Sequence, residues 1–373
     1  MARSPVLTPL VGGYAARVPN LTGVVKLSVI VPFHDVRPYA PDTLRSLRLN
    51  AELLGSTRKS GVSGKRDVEF ILVDDGSTDG TSDLLDRAEK EIPGAVLVRH
   101  ERRRGVAAAR NTGLDAARGR HLAFLDGDDW TAPDHFRELL AAAEALDCDF
   151  LRTDHVRCVG RRRTVVRAPH GRRGTVDDPR AAILPAHRTT SVDYAYAWAG
   201  VYHRRLLERG VLRFDEELRT AEDRPWIWRL HREAASFAVV GLTGVFYRRG
   251  VAGSLTRIGD ERQLDFIPAY DRLVEETSRD RDAAALLPKA VRTYCAVVHH
   301  HLTSDRFDAH MARTVRARCA AALRRLPDDL VRQALDSMDL ERAARLRRLR
   351  RRPVLSPAVR ARTASEAGAG GVR

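Results

Sequence analysis

Two short acidic segments carry the residue types that do chemistry. Asp126-Gly127-Asp128 sets two carboxylates two positions apart in a glycine turn, directly after the apolar run Leu122–Leu125. Carboxylates so spaced can converge on one hard cation. Mg2+ or Mn2+ favours a few carboxylates completed by phosphate oxygens and water. A solvated acidic turn is the plain alternative, because turns favour aspartate in any case. Upstream, Asp74-Asp75-Gly76-Ser77-Thr78-Asp79 ends another apolar run. Helix capping explains its serine, threonine and last aspartate. It does not call for two successive aspartates whose charges repel. A carboxylate there can accept a hydrogen bond from a nucleobase imide N–H or a ribose hydroxyl.

The elements that must position these groups are legible as apolar runs. Leu27–Phe33, Val68–Val73, Ala95–Arg99 and His121–Leu125 read as buried strands. Between them, helical spacing covers Pro41–Leu54, residues 82–91 and Gly105–Ala117, and a further helix runs from Pro133 to Leu146. Strands alternating with helices predict an α/β layering with a mainly parallel sheet. Such sheets bind ligands beyond the carboxyl ends of their strands, where both acidic segments fall. The middle, 147–256, is less regular, with strands expected at Phe150–Asp154, Thr164–Arg167 and Phe237–Tyr247 and a helix near Glu222. From Glu261 to Arg351 the pattern is helical, with breaks expected at Pro268, Pro288 and Pro327. Residues 1–25 read as a surface extension, 55–66 as a polar loop and 353–373 as a disordered tail.

Composition removes several classes. Of 373 residues, 43% are hydrophobic and 30% charged, which excludes wholesale disorder. No apolar run approaches the ~18–20 residues that span a bilayer, and the first twenty residues lack a signal-peptide layout. A cytoplasmic protein is expected. The net charge of +15 invites a nucleic-acid reading. However, residues 342–373 hold ten Arg against Glu366, a balance of +9, which leaves +6 for the rest. No nucleic-acid partner is expected. Cys148, Cys158, Cys295 and Cys319 have neither Cys-x-x-Cys nor zinc spacing and read as reduced thiols in packing roles.

Taken together, LSVIVPFHD (27–35), FILVDDGSTDGT (70–81), RGVAAARNTGLDAARGRHLAFLDGDDW (104–130), FDEELRTAEDRPWIWRL (214–230) and VFYRRGVAGSLT (245–256) resemble, in order, the family 2 glycosyltransferases. The resemblance covers residues 27–256. It implies a GT-A-like, Rossmann-type nucleotide-sugar domain over 26–256, with a nucleotide-binding half (26–146) and an acceptor half (147–256). A helical C-terminal region (257–340) and an Arg-rich tail (341–373) follow. By the same resemblance Pro32 and Phe33 form a lip against the base, Asp75 reads the base, and Arg110 lies near the nucleotide and diphosphate. Asp126 and Asp128 hold Mn2+ or Mg2+, with Asp128 the direct ligand. Of the pair Glu222-Asp223, Asp223 is the implied general base, taking the proton of an acceptor hydroxyl as it attacks the anomeric carbon. First-turn helix carboxylates are the alternative reading of that pair. A base-reading carboxylate suits the N3–H of uracil or thymine, so a UDP-sugar is the favoured donor.

Three departures stand out. The 55–66 loop is longer than the family's usual link. Gly250 occupies a position where many members have histidine, with Arg248 or Arg249 as substitutes for its phosphate contacts. Gln263 and Gln333 are followed by LDF and ALD, so the Gln-x-x-Arg-Trp signature of processive members is missing. The expectation is a metal-dependent, inverting, non-processive transferase acting on a lipid-linked or polymeric acceptor of the cell envelope. Trp198 and Trp226 are candidates for an acceptor cleft or for core packing.

Three other readings fit these residues less well. The segment LAFLDGD resembles a haloacid-dehalogenase-like phosphatase strand but lacks the following Gly-Thr. A Walker A loop is excluded by spacing. A catalytically degenerate scaffold would not need all the carboxylates. Finally, Leu340, Ala343, Ala344, Leu346 and Leu349 share a helical face amid arginines. That helix either lies on an anionic membrane surface, making the protein peripheral on the inner face, or packs on its own domain.

Overall fold

The structure, a computed structural model, describes residues 25–56, 67–251 and 258–351. Residues 1–24 of the expected extension, the 55–66 loop beyond Ser56, the 252–256 end of the last motif and the 353–373 tail lie outside the described residues. Among those described, 25–184 with 189–251 form one compact unit, and 185–188 with 258–351 form a second.

The first unit begins with β1 (Leu27–Phe33), α1 (Ala40–Ser56), β2 (Val68–Asp75), α2 (Thr81–Glu91), β3 (Ala95–His100), α3 (Val106–Ala116) and β4 (His121–Phe124). These runs of Val, Ile and Leu are buried on both faces, as strands covered by helices must be. After them come β5 (Trp130–Thr131), α4 (His135–Leu146), β6 (Phe150–Thr153), β7 (His155–Val159), β8 (Arg162–Val166), β9 (Gly200–His203), α5 (Arg204–Glu208), α6 (Asp223–Glu233), β10 (Phe237–Val240) and β11 (Val245–Arg249). Seven strands form the central sheet in the order β10-β6-β9-β4-β1-β2-β3, parallel except for β9. The register pairs Leu27 with Val68 and with His121, so β1, β2 and β4 reach one edge together. Asp75 and Asp126 therefore leave that edge on either side of Phe33.

The expected single strand over 237–247 is two strands. β10 joins the central sheet, whereas β11 joins a second, four-stranded sheet in the order β5-β11-β7-β8. Gly241 to Gly244 separate them, and such a glycine-bounded stretch is where a chain can change sheets.

Helix α3 lies on β1 and β2 at close range because it has a glycine at the contact. A Cβ on Gly113 would fall inside the van der Waals shell of the Ile30 side chain, which the sheet holds in place. Gly113→Ala is expected to lower stability by about 1–3 kcal/mol, the usual cost of overpacking. Urea denaturation checks this, and an unchanged midpoint would mean that α3 has room to lift.

The second unit contains α7 (Phe266–Ser278), α8 (Ala283–Leu302), α9 (Ala309–Arg325), α10 (Asp328–Asp336) and α11 (Leu340–Arg351). Neither Pro268 nor Pro288 breaks a helix, contrary to expectation. Pro268 occupies the third position of α7, where its missing N–H has no helical acceptor to lose. Pro288 sits inside α8, which accommodates it. The chain instead breaks at 279–282, at 303–308, at 337–339 and, as expected, near Pro327. In helix α11 the packing alternative accounts for most of the expected apolar face: Ala343, Leu346 and Leu349 are buried in this unit, beside α8 and α9, whereas Leu340 is exposed. Arg350 donates to the carbonyls of Leu323 and Leu326, and Arg347 pairs with Asp336 at 2.6 Å. Among the described residues no helix is long and apolar enough to cross a membrane. All four cysteines are free and buried.

Candidate functional site

The segment after β4 is a tight turn bolted from several sides. Leu125 N–H donates to Ile30 O, Gly127 N–H to Pro32 O at 3.2 Å, and Asp129 N–H to Asp126 O. The Thr43 hydroxyl of α1 sits 2.9 Å from Gly127 O and 2.6 Å from Asp129 O, sharing its one proton between them. Arg248 of β11 closes the outer side: its N–H donates to Asp129 Oδ1 and its Nε–H to Asp128 O. A Cβ at Gly127 would lie 2.6 Å from the Phe33 ring and 2.7 Å from Pro32 O, so glycine lets the turn press onto the end of β1. Asp126 and Asp128 flank Gly127 on this turn. Burial, together with the charge of Asp126, pushes the Asp128 carboxyl up to about 6.

Two of the expected base contacts are corrected by this packing. Phe33 is 1% exposed, with its ring beneath Gly127. It supports the acidic turn and offers no open face as a lip; Pro32 is buried beside it. Asp75 is also buried, and its carboxylate is engaged within the protein. Oδ1 accepts from His100 Nδ1 at 2.7 Å and from Arg104 N–H, and Oδ2 accepts from Gly105 N–H at 2.8 Å. Burial would raise this group, but the His100 hydrogen bond and the two backbone N–H groups outweigh it and hold the carboxyl below its ordinary value. Asp75 thus fixes the β3–α3 turn as a charged carboxylate. Asp74 accepts from Ser77 N–H and the Ser82 hydroxyl, so it ties down the turn that leads into α2.

Arg110 has partners other than the expected diphosphate. The side chain is buried on α3, and its two terminal nitrogens reach Glu222 Oε1 at 2.7 Å and Asp126 Oδ1 at 2.9 Å. One guanidinium therefore joins the turn after β4 to the start of α6. Its planar group lies over Phe214, 5.2 Å from the centroid, and Phe214 stacks on Trp226 of α6 at 5.1 Å. Next to it, Asn111 exchanges hydrogen bonds with the backbone of Phe214 in both directions.

Glu222 and Asp223 enter this arrangement through a strained residue. Ala221 has φ 61, a left-handed conformation that costs a non-glycine residue about 1–2 kcal/mol. The kink ends the preceding turn and starts α6 with the acidic pair at its head. Burial raises the carboxyl of Asp223 above its ordinary range, with Asp126 adding to it against Arg224 and Arg110. Glu222 is raised in the same way, by burial and by the charge of Asp223, although Arg110 pairs with it. The Asp223 side chain keeps about a quarter of its surface open (26%), whereas Glu222 is nearly closed.

The structure thus brings Asp126, Glu222 and Asp223 together around Arg110, with Asp128 next to Asp126 on the turn. Sequence reasoning missed Thr43, His100, Ala221 and the bracing role of Arg248. Trp198 and Trp226 are both buried; Trp226 donates from Nε1 to Leu212 O. Two carboxylates on a rigid turn, with Asp128 raised by Asp126, form an all-oxygen donor pair that fits a hard divalent cation. Among the described residues no group of three or more His, Cys, Asp or Glu could hold one, so the other ligands would come from substrate and water.

Residues 28–211 match the family model described as glycosyl transferase family 2. The chain is 32% identical over 242 residues to the uncharacterized glycosyltransferase EpsJ of Bacillus subtilis, covering 64% of this chain and 65% of that protein. It is 35% identical over 160 residues to the succinoglycan biosynthesis protein ExoO of Rhizobium meliloti, covering 42% and 45%. It therefore spans less than two thirds of the length of these relatives. Among solved structures, residues 1–349 of S. aureus TarS in complex with UDP superpose with a TM-score of 0.64 at 17% identity, over 87% of each chain. The matched segment, the relatives and the strand order agree: the chain belongs to glycosyl transferase family 2 and has the GT-A fold.

Proposed function

We propose that the protein transfers a sugar from a nucleotide-sugar, with UDP as the nucleotide, to an acceptor hydroxyl in cell-envelope polysaccharide or glycolipid synthesis, with inversion at the anomeric carbon. The observation that carries this is the meeting of Asp126, on the turn that also bears Asp128, with Glu222 and Asp223 across Arg110. A turn built for a cation and its diphosphate thereby faces a carboxylate suited to a base. Asp223, raised and part-open, accepts the proton of the acceptor hydroxyl. The hydroxyl oxygen forms its bond to the anomeric carbon on the face opposite the diphosphate. The carbon–oxygen bond to the diphosphate breaks with its electron pair on the departing oxygen. Glu222 keeps Arg110 fixed while this happens. When bound, Mn2+ or Mg2+ held by Asp126 and Asp128 would stabilise the negative charge of the leaving diphosphate. TarS in complex with UDP and the naming of ExoO for succinoglycan biosynthesis support the donor and the setting.

Calorimetric titration of UDP with and without Mn2+ tests this reading. Binding should require the cation and should be lost in Asp128→Ala. A folded protein that takes no UDP would remove the uridine assignment, and titration with GDP and dTDP would then identify another donor or none.

A further inference from the structure

A cavity of about 240 Å³ opens on the four-stranded sheet, bounded by Tyr39, Trp130, Arg163, Arg248, Arg249 and Val251 among others. None of Asp75, Arg110, Asp126, Asp128, Glu222 and Asp223 lines it. Pockets for whole small molecules run to about 300–1,000 Å³. This one has the size of a single charged group or sugar ring.

Its lining is cationic and aromatic. Trp130 on β5 stacks on Phe246 of β11, with ring centroids 5.4 Å apart and planes 2° from parallel. The guanidinium of Arg248 lies 4.5 Å from the Trp130 centroid and that of Arg163 lies 5.6 Å from it. Arg248 is engaged by Asp42, Asp128 O and Asp129. Arg163 donates only to the carbonyls of Gly160 and Arg162, and Arg249 to the Tyr247 hydroxyl. Among the described residues neither Arg163 nor Arg249 has a carboxylate partner, and no acidic residue bounds the cavity. The adjoining β7–β8 hairpin, 155–166, contains four arginines and no Asp or Glu.

A merely solvated basic face would leave its arginines free to sample rotamers. Here two of them share one indole ring at the mouth of a concave site. Guanidinium forks held in this way match the paired oxygens of phosphate and carboxylate. Arg163 and Arg249, which have no carboxylate partner among the described residues, draw an anionic ligand toward them.

We propose that this cavity binds an oxyanion carried by the acceptor, a phosphodiester or a uronate carboxylate, with Arg163 in direct contact. The inference rests on the glycosyltransferase reading above. It adds a class of acceptor: one with a negative charge beside the hydroxyl that receives the sugar.

The experiment uses the full chain saturated with UDP and Mn2+. Three probes are titrated calorimetrically: glycerophosphoglycerol for the phosphodiester, methyl glucuronoside for the uronate, and methyl glucoside as a neutral control. At least one anionic probe should bind with UDP in place, and the stronger one identifies the source of the charge. Arg163→Ala should weaken that probe about tenfold, as expected for one lost charge-assisted hydrogen bond, and Arg163→Lys should restore part of it. UDP affinity should match in all three proteins, which also reports that the variants fold. Equal probe affinity in Arg163→Ala, or displacement of the probe by UDP, overturns the proposal. If UDP binds and neither anionic probe does, the inference fails while the donor reading stands. If UDP does not bind, the donor reading fails first and takes the acceptor role of the cavity with it.

Discussion

Asp223→Asn is expected to lower kcat by about 10²–10⁴-fold, the range supplied by a positioned general base. Asparagine keeps the shape and the start of α6 but cannot take a proton. UDP affinity should therefore stay near that of the unaltered protein. The ionised carboxylate is disfavoured in the fold, since burial raises Asp223 and Asp126 repels it. Removing that charge should hold or slightly raise the melting temperature. A large loss of turnover without loss of stability is a signature that a structural carboxylate would not give. The pH profile supplies the sign. The base works unprotonated, so kcat/KM should fall as pH drops through its folded pKa. That limb should lie above the ~4 of an ordinary aspartate. Should Asp223→Asn turn over at the original rate, the base lies elsewhere and Glu222 becomes the next residue to change.

Arg110→Ala should be the most damaging substitution for stability. It removes the buried cation that joins Asp126 to Glu222 and leaves neighbouring carboxylates unpaired. Breaking a buried pair from one side costs about 3–5 kcal/mol. In the variant the unpaired carboxyls are raised further, so their ionisation opposes folding. The deficit should widen as pH rises from 5 to 8 and shrink in acid, where they carry protons. Arg110→Lys keeps the charge without the planar fork that spans both partners, so it should recover part of the stability and little of the activity. Thermal melts across that pH range check both points. A variant that melts like the parent at pH 8 would show that the guanidinium does not hold the site together.

Much of the first unit could be read from residues alone, for a definite reason. Strands β1, β2 and β4 are continuous apolar runs because helices cover both of their faces, and the acidic turns follow where the runs stop. The two-residue β5 gives no such signal; Trp130 and Thr131 become a strand by pairing with β11. β9 is short and antiparallel within a parallel sheet, and no local pattern marks it. The run over 237–247 reads as one strand because hydrophobicity does not encode a change of sheet. Pro268 misled because the cost of proline depends on its position within a helix. At the site, the residue types of Asp126, Asp128 and Asp223 were visible, but their partners were not. Arg110 reads equally well as a phosphate ligand or as an ion-pair bridge until the fold brings Glu222 to it. Phe33 at a strand end looks the same whether its ring is open or covered, and only Gly127 decides. Ala221 carries no sequence mark of its left-handed backbone, since alanine is not the residue that conformation favours.

The bridge through Arg110 also has a history in time. Its two anchors both follow it in the chain, at very different distances. Asp126 follows 16 residues later, but Glu222 follows 112 residues later. At roughly 5–20 residues per second of synthesis, the interval between Arg110 and Glu222 leaving the ribosome is roughly 6–22 s. During that interval β1 to β4 can assemble with the guanidinium satisfied at one end and the acidic turn complete. The nascent chain would then hold the cation side of the site without the base. Competence for transfer would arrive late and in one step, when the α6 segment docks.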